Sequence, residues 1–196
     1  LTLSDGTLST NLNGPVTIEF WIKHDGNAEV WPIQFGNIQI GFSVGAQDPD
    51  SDIIVIVPNQ EVKRRLLPEA KWTHFAITRD SDLMHKIYRN GVLDFSFQGT
   101  TLQNHRESTY EIASDIGNSG VGFFDEVRLW SYARTENEIL SQMNGELTGN
   151  ESSLFGYWNF NQTWNDTIYD LSGDENHAYN QKQLGTPHTL DTWQTD

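Results

Sequence analysis

Gly122-Phe-Phe-Asp-Glu-Val-Arg-Leu-Trp-Ser-Tyr-Ala-Arg134 decides how this chain is read. Phe124, Glu126, Arg128 and Trp130 alternate with Asp125, Val127 and Leu129, the period of two that a strand presents as two faces. Immediately after it, Thr135-Glu-Asn-Glu138 has the Thr-x-x-Glu spacing of a capping box, followed by Ile139, Leu140 and Met143 at one-turn spacing. A strand running into one short helix is expected, and no comparable helical signal occurs elsewhere in the 196 residues.

Working outward, Thr17 to Lys23 alternates Ile18, Phe20 and Ile22 with Glu19, Trp21 and Lys23, as does a half-buried sandwich strand. Ile38, Ile40, Phe42 and Val44 repeat the pattern, with Gln39, Gly41 and Ser43 on the other side. Between them His24 to Pro32 reads as a connection carrying Trp31. Ile53 to Val57 is a β-branched run expected of a strand covered on both faces. Pro58 to Lys71, with Lys63-Arg64-Arg65, reads as a solvated loop or hairpin. Asn90-Gly91 suits a two-residue type I′ hairpin turn, with Leu93, Phe95 and Phe97 continuing the inward face. Leu154 to Phe160 returns to strand, and residues 181–196 read as a final strand or a departing linker.

These stretches resemble, in order, the recurring motifs of the laminin G-like, or concanavalin A-like lectin/glucanase, superfamily. Thr17 to Lys23 is similar to its early strand, Trp72 to Thr78 with Lys86 to Val92 to its central hairpin, and Gly122 to Thr135 to its strand–helix signature. Gly156 to Phe160 with Tyr169 to Gly173 and Asn176 is similar to its close. The resemblance spans about residues 1–180 and implies one all-β domain over 1–196, an antiparallel β-sandwich jelly roll with one short α-helix.

Composition narrows the function. Asp and Glu number 27 against 12 Lys and Arg, a formal charge of −15 that repels nucleic acid and anionic lipid. The same charge keeps a domain soluble or converges carboxylates on a cation. Without cysteine there are no disulfides and no thiol chemistry. No apolar run is long enough for membrane insertion. The chain opens Leu-Thr-Leu, without Met or a signal peptide, and reads as cut from a longer or processed protein.

The glucanase branch of the family needs carboxylates at alternating positions of one strand, and no such triplet occurs. Asp125 and Glu126 are adjacent, so strict alternation would turn them to opposite faces, and Glu19 stands alone among apolar neighbours. His74 reads as a structural histidine. Trp21, Trp72, Trp130 and Trp158 fall on the family's core positions, whereas Trp31, Trp164 and Trp193 lie outside them and are candidates for ligand stacking. The resemblance also implies a structural calcium near the meeting of the terminal segments. Asp170, Asp174 and Asn176, joined by Asp125, would supply its oxygens, although Asp and Asn also simply favour turns.

The leading expectation is a non-catalytic extracellular module that recognises glycans or a cell-surface protein, working beside other domains of a secreted or surface parent chain. Trp31, Asp48, Asp50, Asp52 and Trp164 would contact the ligand. The alternative is an adhesion or spacer domain without sugar affinity, and a glycan-processing enzyme comes third.

Overall fold

The computed structural model describes residues 2–3, 12, 14–24, 30–35, 38–43, 51–57, 60–67, 71–99, 110–112, 122–161 and 167–179. They form two antiparallel sheets. The six-stranded sheet contains β2 (Val16–His24), β7 (Thr73–Arg79), β8 (Met84–Arg89), β9 (Val92–Gln98), β11 (Gly122–Trp130) and β12 (Leu154–Trp158), in the order β12-β11-β2-β7-β8-β9. The eight-stranded sheet contains β1 (Thr2–Leu3), β3 (Val30–Phe35), β4 (Ile38–Ser43), β5 (Ser51–Val57), β6 (Gln60–Leu67), β10 (Tyr110–Ile112), β13 (Thr167–Ile168) and β14 (Ala178–Tyr179). Its order is β13-β14-β1-β10-β3-β4-β5-β6.

Alternation makes the core. Val16, Ile18, Phe20 and Ile22 of β2 and Phe75 and Ile77 of β7 meet Ile33 and Phe35 of β3, Ile38 and Ile40 of β4, and Val55 and Val57 of β5 in one buried cluster. Burying each such side chain is worth about 1.5–3 kcal/mol, and the paired inner faces make this a β-sandwich. Trp158 is wholly buried in the same cluster, and a Cβ on Gly156 would stand 2.6 Å from its ring, so the glycine lets the indole lie against the backbone. The β8–β9 turn has positive φ at Asn90 (50°) and Gly91 (79°), the geometry of a type I′ turn.

Three readings of local pattern are corrected. In β11 the alternation breaks at a bulge: Asp125 pairs with Trp21 but Arg128 with Glu19, so β11 carries one extra residue there. Glu126 takes φ 52° in that bulge. As a result Phe124, Val127 and Leu129 all enter the core, while Arg128 and Trp130 leave it. In β9, Leu93 is 42% exposed rather than inward, because a register shift between Ile87 and Tyr88 sets it opposite Tyr88. Trp31 lies within β3 rather than in a connection. Lys63-Arg64-Arg65 lies within β6, which forms a hairpin with β5, one of the two forms expected for it.

The one helix among the described residues, α1 (Glu136–Gln142), begins at the expected capping box. The Glu138 amide donates to the Thr135 hydroxyl, and the Thr135 amide donates to the Glu138 carboxylate. Ile139 is buried with Ala76 and Tyr88 of the six-stranded sheet, while Leu140 is 48% exposed. The helix therefore lies on the outer face of that sheet.

Candidate functional site

Beneath α1 the outer face of the six-stranded sheet holds a buried ionic network. Glu19 of β2 is fully buried; its Oε1 accepts from Arg134 Nη1 at 2.5 Å, and its Oε2 lies 3.6 Å from His74 Nε2 and 4.0 Å from Arg128 Nη1. Glu126 accepts from Arg128 Nη2 at 2.5 Å and from the Tyr157 hydroxyl at 2.9 Å. Two carboxylates thus face two guanidiniums, and Glu19 is far from the lone acid its sequence neighbours suggest. Other N–H groups of the two guanidiniums close the end of the helix. Arg128 donates to the carbonyls of Gln142 (2.9 Å) and Gly145, Arg134 donates to the Glu138 carbonyl (2.9 Å) and to the Gln142 side chain, and Trp21 Nε1 donates to the Met143 carbonyl at 2.8 Å. The last turn of α1 contains no basic residue, so the sheet supplies the cations that its carbonyl end favours. Arg134 also stacks on Trp130, 4.2 Å from the ring centroid.

Burial alone would raise the Glu19 carboxyl, but His74, Arg134 and Arg128 together hold it below the ordinary range. Burial pushes His74 below its ordinary value, against the pull of Glu19. Glu126 is raised by burial despite Arg128 and Tyr157. Asp125 and Glu126 do not point to opposite faces as strict alternation implies. The bulge keeps both out of the core, with the Glu126 amide donating to Asp125 Oδ1 at 2.8 Å and the Glu126 carboxylate bound to Arg128 and Tyr157. Glu19 and Glu126 are thus engaged with the two guanidiniums that hold the helix.

A second buried histidine gives a pH prediction. His85 of β8 stacks on Phe97 (centroids 4.8 Å apart), its Nδ1 lies 2.9 Å from the Leu83 carbonyl, and burial depresses its pKa to about 4. With the folded value below the unfolded 6.5, the unfolded chain takes up the proton first as pH falls. Stability is therefore full above pH 6.5 and declines toward pH 4, by about 3 kcal/mol from this group alone. His74 acts in the same direction. Urea unfolding of wild type and His85→Phe from pH 7 to 4 should give a shallower decline in the variant; parallel curves would contradict the assignment.

The Asp170–Asn176 turn does not fit a cation. Asp170 is buried, and its Oδ1 accepts from the amides of Tyr157 and Ser172, both at 2.8 Å. Its Oδ2 accepts from the Ser172 hydroxyl at 2.9 Å and the Asn176 amide at 3.0 Å. Four donors fill the directions in which a metal would be bound. Asn176 Nδ2 donates to the Phe155 carbonyl at 2.8 Å, and its backbone carbonyl accepts from Trp158 Nε1 at 3.1 Å. Asp174 is exposed. Among the described residues no three His, Cys, Asp or Glu side chains are placed to hold a metal ion, so Asp125, Asp170 and Asp174 do not gather at one point. The turn is a clip that fastens the chain after β13 to β12.

The outer face of the eight-stranded sheet is different. One cross-strand row runs through Thr167, Tyr179, Thr2, Glu111, Gln34, Gln39, Ile56 and Glu61, each the direct partner of the next. The chain neighbours Ala178, Ile33, Phe35, Ile38 and Ile40 are in the core, which places Tyr179, Gln34 and Gln39 of this row on the opposite face. Gln34 and Gln39 are half-buried, Glu61 is exposed and Tyr179 is 43% exposed. Of the ligand candidates read from sequence, Trp31 lies on β3, and Asp52 lies on β5 opposite Ser43 on one side and Arg65 on the other. Asp48, Asp50, Trp164 and Trp193 lie outside the described residues. Gln39 was visible as the polar side of an alternating strand. Tyr179 was not, because its place depends on β14 pairing with β1 from the far end of the chain.

A laminin G family model, described as concanavalin A-like lectin/glucanases superfamily, matches residues 1–140. The chain belongs to this superfamily. No curated protein matches it in sequence. Among solved structures, a candidate carbohydrate-binding protein from Bacteroides ovatus is similar at 22% identity and TM-score 0.63, over 91% of this chain and 56% of that one. The binding domain of botulinum neurotoxin DC, solved with rat synaptotagmin II, is similar at 16% identity and TM-score 0.53, over 76% of this chain and 43% of that one. A structure of botulinum neurotoxin type C, whose cell entry is dependent upon interaction with two ganglioside molecules, aligns at 18% identity and TM-score 0.53, over 74% of this chain and 40% of that one. At such identities the likeness is one of fold, and the chain spans about half the length of these structures or less. No helix among the described residues is long and apolar enough to cross a membrane.

Proposed function

We propose that this superfamily member is a non-catalytic glycan-recognition module of a larger secreted or surface protein, binding through the outer face of its eight-stranded sheet. The contrast between the two sheet faces carries the reading. On the six-stranded sheet, α1 and the ionic network cover the outer face, and the carboxylates Glu19 and Glu126 are consumed in holding them. On the eight-stranded sheet, amides, a carboxylate and an aromatic ring stand partly exposed in register. Amide and carboxylate side chains bond sugar hydroxyls, and an aromatic face packs on a pyranose. The family and the Bacteroides ovatus neighbour support the same class of ligand.

The test is a broad glycan array with the purified domain and its Trp31→Ala and Gln39→Ala variants. Binding to at least one glycan, weakened in the variants at unchanged melting temperature, is expected, with no release of reducing ends from polysaccharides. An array blank at high protein concentration would leave the adhesion or spacer reading in its place. Reducing ends that disappear on mutating one acidic pair would make the protein an enzyme.

A further inference from the structure

Asn-Gly occurs three times in the chain, at Asn13-Gly14, Asn90-Gly91 and Asn144-Gly145. In such a pair the side-chain carbonyl carbon of Asn lies one ring closure from the next backbone nitrogen, and glycine has no side chain to hinder the approach. The chain can therefore modify itself at such a pair, provided the fold leaves the two atoms free to meet. Asn13 lies outside the described residues, and the other two copies stand in opposite surroundings.

Asn90 is held. Its amide donates to the His74 carbonyl at 2.9 Å, and its Oδ1 accepts from the His74 amide at 3.0 Å. Gly91 is buried, and a Cβ there would stand 2.6 Å from Leu140 Cδ1 and 3.1 Å from Met143 Sδ. Asn144, by contrast, is exposed just beyond α1, and among the described residues its side chain has no hydrogen-bond partner. Gly145 is exposed too, and a Cβ there would meet nothing within 4 Å. Its amide donates to the Gln142 carbonyl at 3.2 Å, at a helix end where local opening costs least.

We infer that Asn144 is a site of spontaneous deamidation, and that its conversion loosens the grip of the sheet on α1. The Gly145 backbone nitrogen attacks Asn144 Cγ and forms a C–N bond. The bond from Cγ to Nδ2 breaks, and the proton given up by the Gly145 amide leaves with the side-chain nitrogen as ammonia. Water then opens the succinimide ring at either carbonyl, giving aspartate or isoaspartate, so the only co-reactant is solvent. Both products put a negative charge beyond the carbonyl end of α1, the end that disfavours it. Isoaspartate also adds one carbon to the backbone between the carbonyls of Met143 and Gly145, which Trp21 Nε1 and Arg128 hold.

The experiment is peptide mapping by mass spectrometry after the purified protein has stood for weeks in mildly alkaline buffer, folded and in urea. In the folded protein Asn144 should convert at least about tenfold faster than Asn90, whose two bonds to His74 must open first. In urea the two rates should converge. Gly145→Ala should suppress conversion at an unchanged melting temperature, since Gly145 needs no positive φ and has room for a Cβ. Asn144→Gln, whose longer side chain closes a ring less readily, should do the same with Gly145 in place. The converted fraction, separated by its added charge, should melt below the unconverted one. Equal rates at Asn90 and Asn144 in the folded protein, or an Asn144 that stays intact while the unfolded chain reacts, overturn the site. Equal melting of the two fractions overturns the effect on α1.

Discussion

Glu19→Ala should lower the unfolding free energy by about 3–5 kcal/mol, the cost of breaking a buried ion pair by removing one partner. Arg134 loses the acceptor of its Nη1, Arg128 loses a nearby negative charge, and both guanidiniums stay almost completely buried. Two positive groups would then face Glu126 alone. The damage should spread to α1, since Arg134 and Arg128 hold the carbonyls of Glu138, Gln142 and Gly145. Glu19→Gln keeps the shape and should recover little of the loss, because the charge balance is what fails. Urea unfolding at pH 7 measures both, and a loss below about 1 kcal/mol in Glu19→Ala would show the pair to be as weak as a surface one.

This network explains what the opening stretch of sequence encodes. Phe124, Val127 and Leu129 build the core, Arg128 reaches down to Glu19 and out to the helix, and Arg134 returns from the loop to the same carboxylate. Glu19 and Arg134 are 115 positions apart, so no window of sequence could pair them. What was readable was local: the strand, the capping box, the Asn90-Gly91 turn and the inward residues of β2 and β4, each set by its own neighbours. What was not readable followed from pairing. The β11 bulge reassigns faces after Asp125, a shift in β8–β9 turns Leu93 outward, and the strand that takes in Trp31 depends on its partners β4 and β10. The row on the eight-stranded sheet is the extreme case, because its members come from eight separate strands and share nothing in sequence but their polarity or an aromatic ring, Ile56 excepted. A glutamine between two buried apolar residues does not stand out in sequence as an acidic loop or a tryptophan does.

Asp170→Ala should destabilise the fold by about 3–5 kcal/mol, and by the same amount in chelator and in millimolar calcium. The magnitude follows from the donors it would strand: hydrogen bonds to a charged group are worth about 1.5–3 kcal/mol each, and a buried donor left without a partner costs about 1–3 kcal/mol. Asp170 serves the buried amides of Tyr157 and Asn176 besides both donors of Ser172. Losing it should also loosen Asn176, whose contacts to the Phe155 carbonyl and Trp158 Nε1 fasten the turn to β12. Asp170→Asn should be intermediate, since one carboxamide oxygen can replace only one of the two carboxylate oxygens. The insensitivity to calcium separates the two ways an aspartate can hold such a turn. An ion that bound only the folded wild type would raise its stability by RT ln(1 + [L]/Kd) and leave the variant unmoved. Wild type and variant should instead keep a constant gap across chelator, calcium and magnesium at fixed ionic strength. A wild-type melting temperature that climbs several degrees with calcium alone, with no rise in Asp170→Ala, would mean that the carboxylate gives up one of its protein donors to bind the ion.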